Sequence, residues 1–345
     1  VLQELGFQVH FVGRKLPNSM PADFSFPYTR FKLWFSTGFL FYANYNLRLF
    51  WFLVQNPFDV YLSNDLDTLM PNALISKWRK KPLVYDSHEY FTGVPEIQQR
   101  PLVKWFWQKL ERWFLPKADA YITVNKSIAK LYSKEYGLDF KVVRNIGNTS
   151  IAPRPKTRMA LGLPEDAFIL INQGSGINVD RGMEEMLEAM PLLPPRVKLL
   201  IVGSGDVLPL LKKRTAGGLE KRVIFKPKMP YAELLQYTRA ADCGLSLDKD
   251  TNLNYRYSLP NKLFDYINSG IPLLVSDLPE VAGLVKSYSI GVVTENHDPQ
   301  ALADAVQQVM LKSKKDYQAQ LEKAAAENNW SNEKRVLEEI FKPVA

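Results

Sequence analysis

A chain of 345 residues exceeds the usual size of one hydrophobic core, so two domains are expected. Its 46% apolar and 23% charged residues exclude a disordered chain. The net charge of +8 is spread along the sequence without dense Lys/Arg runs. That points to a nucleotide phosphate or an anionic lipid surface as partner and argues against nucleic acid.

Cys243 is the single cysteine, which rules out an internal disulfide and a Cys-rich metal site. His10, His88 and His297 are too scattered for a histidine metal centre, so no metal is expected. A reducing cytoplasm fits this composition.

In chain order, "VLQELGFQVHFVG" reads as a helix end stopped at Gly6 and then a strand. A doubly wound domain normally begins with a strand, so an earlier strand and its glycine turn are expected ahead of this point. Residues 30–56 are apolar and aromatic, but Ser36, Thr37, Asn44, Asn46 and Arg48 break any membrane-length span. A core-packing helix or helix pair is expected there, with an interfacial membrane segment as the alternative.

"DVYLS" is a strand, and "SNDLDTLMP" after it offers Asn64 and Asp65 either to an acceptor or as caps of the next helix. "PLVYDSHEY" sets Asp86, Ser87, His88 and Glu89 just beyond another strand, at the carboxyl edge where open sheets bind ligands. "PLVKWFWQKLERWFLP" (101–116) puts Phe106, Leu110, Trp113 and Phe114 on one side, with Lys104, Lys109 and Arg112 elsewhere. Three tryptophans among three cations suit a lipid interface; an amphipathic helix lying on a sheet explains the same stripe.

Strands "DAYITV" and "KVVR" precede a boundary in "IGNTSIAPRPKT" (146–157), rich in Gly, Pro and polar residues. Beyond it the rhythm repeats with "FILINQ", "VKLLIV", "RVIF", "DCGLSL", "PLLV" and "IGVVT". Strands alternating with helices require parallel sheets covered on both faces. Asp298 and Pro299 start a helix as cap and first-turn residue. A last helix from Trp330 carries Val336, Leu337, Ile340 and Phe341 at helical spacing, a stripe that packing back on the first domain would bury. The expected division is 1–148, 149–329 and a returning helix at 330–345.

The chemistry concentrates in "SLPNKLFDYINSGIPLLVSD" (258–277). Pro260 belongs in the first turn of a helix, leaving the N–H groups of Asn261, Lys262 and Leu263 to face an anion. Lys262 adds a full charge there, and Asp265 lies on the same face to address sugar hydroxyls. Gly174, Ser175 and Gly176 end an earlier strand, with Arg181 and Gly182 at the next helix start. Gly203 and Gly205 in "IVGSGD" are expected to let a ligand approach the backbone.

The run "PNKLFDYINSGIPLL" resembles the donor-site helix of retaining GT-B glycosyltransferases, particularly family 4. Pro260, Lys262, Tyr266, Gly270 and Pro272 match its pattern, and Asp265 stands where relatives carry a ribose-binding Glu. The resemblance implies an α/β fold of two Rossmann-like doubly wound domains facing each other across a cleft. It implies hexosyl transfer from a nucleoside diphosphate sugar to a hydroxyl acceptor, with retention, no metal and no separate cofactor. The acceptor would be a glycan or lipid-linked glycan, as in polysaccharide biosynthesis. The protein would then work in the cytoplasm, with peripheral contact at the inner face of the membrane.

The same resemblance gives Arg181 and Lys262 to the diphosphate, the backbone near Lys228 and Met229 to the base, and His88 to the donor sugar and its phosphates, with Glu89 beside it on the acceptor side. Two departures stand out. Tyr257 occupies the place of the family's first glutamate, with Asp248 or Asp250 upstream as substitutes, and Ser175 replaces an Arg. The departures suggest one alternative, a non-catalytic glycan-assembly protein with a degenerate donor site, and the shared architecture another, a sugar-nucleotide 2-epimerase.

Overall fold

In a computed structural model, residues 1–16, 24–148 and 154–344 are described; the linker residues 149–153 lie outside them. The chain divides into two compact units, Val1–Arg144 with Glu333–Ala345, and Asn145–Asn332.

The first unit opens with a parallel pair, β1 (Phe11–Arg14) and β2 (Tyr28–Phe31), followed by α1 (Gly38–Gln55). The strand expected at 7–13 is thus shorter and begins later. Then come β3 (Tyr61–Asn64), α2 (Leu66–Arg79), β4 (Leu83–Ser87), α3 (Pro95–Gln98) and α4 (Pro101–Phe114). β5 (Ala120–Thr123), α5 (Lys126–Tyr136) and the two-residue β6 (Lys141–Val142) complete it. The strands β3-β4-β5-β6 form a parallel sheet in that order. A cavity of about 400 Å³ adjoins β1 and β3, lined by Val9, Phe11, Tyr61 and Leu62 among others.

Local chemistry sets the helix ends. α5 starts where the Asn125 side chain accepts the Ile128 N–H (2.9 Å), and it stops at Gly137, whose φ of 70° suits a residue without Cβ. Residues 30–56 form one 18-residue helix, α1, after a short strand. Among the described residues no helix is long and apolar enough to cross a membrane.

The second unit runs β7 (Phe168–Gly174), α6 (Met183–Ala189), β8 (Val197–Gly203), α7 (Leu208–Thr215), β9 (Val223–Lys226) and α8 (Tyr231–Ala240). It continues with β10 (Cys243–Ser246), α9 (Leu253–Arg256), α10 (Asn261–Asn268), β11 (Leu273–Ser276) and α11 (Pro279–Tyr288). β12 (Gly291–Thr294), α12 (Pro299–Met310) and α13 (Lys314–Glu327) follow. Its six strands are parallel in the order β12-β11-β10-β7-β8-β9. Ile169 and Ile171 enter the core on one face of β7 and Leu170 the core on the other, so the strand reads as a continuous apolar run. The chain moves from β7 outward to β9 and then returns to β10 on β7's other side. That reversal puts a topological switch point at the carboxyl ends of β7 and β10.

Asp298 occupies the cap position of α12, but its side chain makes no capping bond, so only the expected position is realised. The last helix, α14 (Trp330–Phe341), delivers Ile340 and Phe341 to a cluster with Val84 and Ile122 in the first unit. Its buried Glu333 accepts from the Arg144 backbone N–H (2.6 Å) and guanidinium (2.5 Å).

Tyr266, fully buried on α10, packs over Gly244 of β10: a Cβ at 244 would lie 2.2 Å from the ring. Its hydroxyl donates to the carbonyls of Ile171 (3.2 Å) and Leu245 (3.3 Å). Gly244→Ala is therefore expected to cost about 1–3 kcal/mol, as overpacking of a closed core does. Thermal denaturation measures it, and an unchanged Tm would show that α10 can shift freely.

Candidate functional site

At the switch point, two loops are zipped together. The loop after β7 turns at Gly182 (φ 72°), where a Cβ would lie 2.3 Å from the Leu247 carbonyl oxygen. Beside it, Lys249 N–H donates to the Asp180 carbonyl (2.9 Å). This contact sets Arg181 against Asp248: its Nη1 donates to Asp248 Oδ2 (2.8 Å), and its guanidinium lies 4.5 Å over the Tyr255 ring. Asp248 is 1% exposed, Ser258 Oγ also reaches its Oδ2 (3.4 Å), and its Oδ1 has no partner. Arg181 Nε is likewise buried without a partner.

Lys262 approaches the same group from α10, with Nζ donating to Asn172 Oδ1 (2.8 Å). Burial lowers its pKa to about 8, opposed by the Asp248 charge and reinforced by Arg181. Two cations and one carboxylate therefore meet where the sheet order reverses.

The helix tip departs from expectation in two details. Pro260 sits just outside α10 as its cap (φ −66°, ψ 142°), because its ring suits the extended entry to the helix. Leu263 N–H is taken by the Pro260 carbonyl (3.1 Å), a tight first turn that leaves Asn261 and Lys262 as the N–H groups at the tip.

Asp265 is not presented to solvent. It is 5% exposed, and it accepts from Gln173 Nε2 at Oδ2 (2.9 Å) and from the Tyr231 hydroxyl at Oδ1 (2.5 Å). Burial raises its pKa to about 6 despite those bonds. Asn172 and Gln173, adjacent at the end of β7, thus hold Lys262 and Asp265 respectively.

Gly203 and Gly205 also have a different reason from the expected one. A Cβ at 203 would lie 1.8 Å from the Gly174 carbonyl oxygen, and one at 205 would lie 2.0 Å from that of Ile177. These glycines admit the neighbouring β7 loop, which Ser204 N–H fastens through the Gly174 carbonyl (3.0 Å). Ser175 and Gly176 lie exposed in that loop; Lys228 is exposed, and Met229 packs half-buried on the core. Tyr257 ends α9, and Asp250 pairs with Arg256 at the surface (3.0 Å). Of the two upstream acids, Asp248 alone joins the cation pair.

In the first unit, His88 N–H donates to Asp65 Oδ1 (2.9 Å), and Nδ1 lies 3.3 Å from Asp65 Oδ2. Nε2 lies 3.5 Å from Asp86 Oδ2. The hydrogen bonds to Asp65 and Asp86 raise the His88 pKa to about 10, so the ring is an imidazolium at neutral pH. Asp65 therefore does not cap α2 with its side chain; that carboxylate is spent on His88. Its backbone (φ 56°, ψ 169°) lies in a region non-glycine residues avoid, a local cost of about 1–3 kcal/mol that surrounding structure must impose. Asn64 and Glu89 are both exposed, Asn64 beside the β1–β3 cavity and Glu89 at a larger cavity against α4.

Because the folded pKa of His88 is raised, this cluster stabilises fully below the unfolded value near 6.5 and loses that stabilisation as pH rises through about 10. Asp65→Asn is expected to bring the His88 titration, followed by NMR of the ring protons, back toward neutrality. A ring that titrates near 6.5 in the wild type would remove the imidazolium.

Sequence reading missed Asn172, Gln173, Tyr231 and Tyr255. The first two had a visible signal: a polar pair closing the apolar strand "FILINQ". Tyr231 and Tyr255 had none.

Residues 153–328 match the family described as glycosyl transferases group 1, and residues 1–149 match Glycosyltransferase Family 4. The chain is 26% identical over 270 residues, 71% of its length, to chitobiosyldiphosphodolichol beta-mannosyltransferase of Yarrowia lipolytica, and spans 56% of that relative. Among solved structures, sucrose-phosphate synthase from Thermosynechococcus elongatus matches with a TM-score of 0.76 at 18% identity, over 99% of this chain and 90% of that one. HepE of Anabaena with UDP-glucose matches with a TM-score of 0.72 at 17% identity, over 92% and 86%. These likenesses extend the two-unit parallel α/β fold to glycosyltransferases of the GT-B class, and they favour neither the epimerase nor the non-catalytic alternative. The switch-point cations, the donor-helix pattern and the matched span agree: the chain belongs to the glycosyl transferases group 1 family.

Proposed function

We propose that the chain transfers a hexosyl group from a nucleoside diphosphate sugar to a hydroxyl acceptor, with retention and without a metal ion. The observation that carries this is the meeting of Arg181 and Lys262 at the switch point, ordered by the buried Asp248. As the sugar departs, negative charge grows on the diphosphate, and preorganised cations lower that barrier most. Lys262 brings a compact charge at a helix tip, and Arg181 brings a planar guanidinium beside it.

His88, an imidazolium held between Asp65 and Asp86, offers positive charge instead of a base. The leaving diphosphate takes the acceptor's proton. The family relative whose name specifies chitobiosyldiphosphodolichol supports a lipid-linked acceptor, and such an acceptor would bring the chain to a membrane.

Titration with UDP, GDP and ADP followed by their sugars identifies the donor. The anomeric coupling constant of the product tests retention, and activity in excess chelator tests metal independence. Failure of every nucleoside diphosphate to bind would overturn the reading.

A further inference from the structure

A second cavity, about 720 Å³, lies in the first unit between α1, α2 and α4. Phe39, Tyr42, Met70, Phe91, Trp107 and Leu110 make it apolar. Its size is that of a small-molecule site, about 300–1,000 Å³. Asn46, the amide in its wall, already donates to the carbonyls of Tyr42 (2.9 Å) and Asp67 (2.8 Å), and the charged residues of the lining are Glu89 and Arg100. The mouth is apolar too: Phe39 is 69% exposed and Leu102 84%.

α4 explains what such a mouth faces. Trp107, Leu110 and Glu111 point inward, while Leu102, Trp105, Phe106 and Trp113 share the outer face at helical spacing, each well exposed. Leu110 is therefore buried, apart from Phe106 and Trp113, with which the sequence had set it on one side. Lys104, Lys109 and Arg112 flank those rings, with Arg100 just before the helix at the cavity. The helix's one carboxylate, Glu111, is buried and accepts from Tyr136 (2.7 Å), so the outer face carries cations alone. Leu47 and Trp51 of α1 and Trp78 of α2 are exposed as well. Indole rings settle at headgroup depth, and cations beside them meet lipid phosphate.

We infer that this cavity takes the hydrocarbon chain of a phosphate-headed lipid, drawn from an anionic membrane on which the outer face of α4 rests. That the lipid is the acceptor's anchor rests on the transferase reading; that it binds does not.

The test uses the full chain with two probes. Flotation with vesicles of phosphatidylcholine alone, or with about 30% phosphatidylglycerol, reads the surface, and calorimetry with monomeric lysophosphatidylglycerol reads the cavity. Binding to anionic vesicles only, weakened by salt and lowered about tenfold or more in Trp105→Ser/Trp113→Ser, supports the inference. So does Ala43→Phe, a substitution in the cavity lining, if it abolishes lysolipid binding, keeps vesicle binding and keeps Tm. Equal binding to neutral and anionic vesicles, no vesicle binding, or lysolipid binding indifferent to Ala43→Phe overturns it. Self-association abolished by Trp105→Ser/Trp113→Ser also overturns it, assigning the face to a second copy. UDP titration of the same variants keeps this result separate from that of the donor site.

Discussion

Arg181→Ala is expected to lower the stability of the second unit by about 3 kcal/mol, because it strands the buried Asp248 carboxylate without its cation. Diphosphate affinity should fall in the same variant. The two effects have different origins and can be separated. Adding Asp248→Asn removes the stranded charge, so the double variant should recover most of the lost stability, read from urea denaturation, while diphosphate binding stays weak. If stability and binding recover together, Arg181 is a structural partner of Asp248 and no ligand of phosphate. If Arg181→Ala leaves both unchanged, the ion pair carries nothing.

Lys262→Ala should weaken nucleoside diphosphate binding by about 1.5–3 kcal/mol, the worth of a hydrogen bond to a charged group. Wild-type affinity should also depend on pH in a definite sense. The Lys262 pKa is lowered to about 8, so the free protein carries the charge below that pH and loses it above. Binding above about pH 8 must therefore take up a proton, and affinity declines as pH rises through that value. Calorimetry in buffers of differing ionisation heat measures the uptake. Lys262→Ala should flatten the profile and abolish the uptake; a wild type indifferent to pH between about 7 and 9.5 would place the ammonium away from the anion.

Much of this was legible in the letters. The alternation of short apolar runs with helical stripes announced parallel α/β layers, since each run is fully covered only between helices. The "PNKLFDYINSGIPLL" pattern located the helix that carries Lys262, and "PLVYDSHEY" put His88 at a strand's end. Arg181 and Lys262 were both visible as candidate cations.

What escaped the sequence was pairing at a distance. Asp248 lies 67 positions from Arg181, and Tyr231 lies 34 from Asp265. Neither spacing is periodic, because helix and strand periods act only within one element. The sequence by itself determined the layering, the donor-helix pattern and the charges available, all set by local repeat and side-chain chemistry. Tertiary structure alone decided which carboxylate answers Arg181, that both oxygens of Asp265 are spent inside the protein, that His88 is held as a cation, and that the aromatic face of α4 turns outward. The first two depend on which loops the reversing strand order of the second unit brings side by side, and the last two on which residues pack around β4 and α4 in the first.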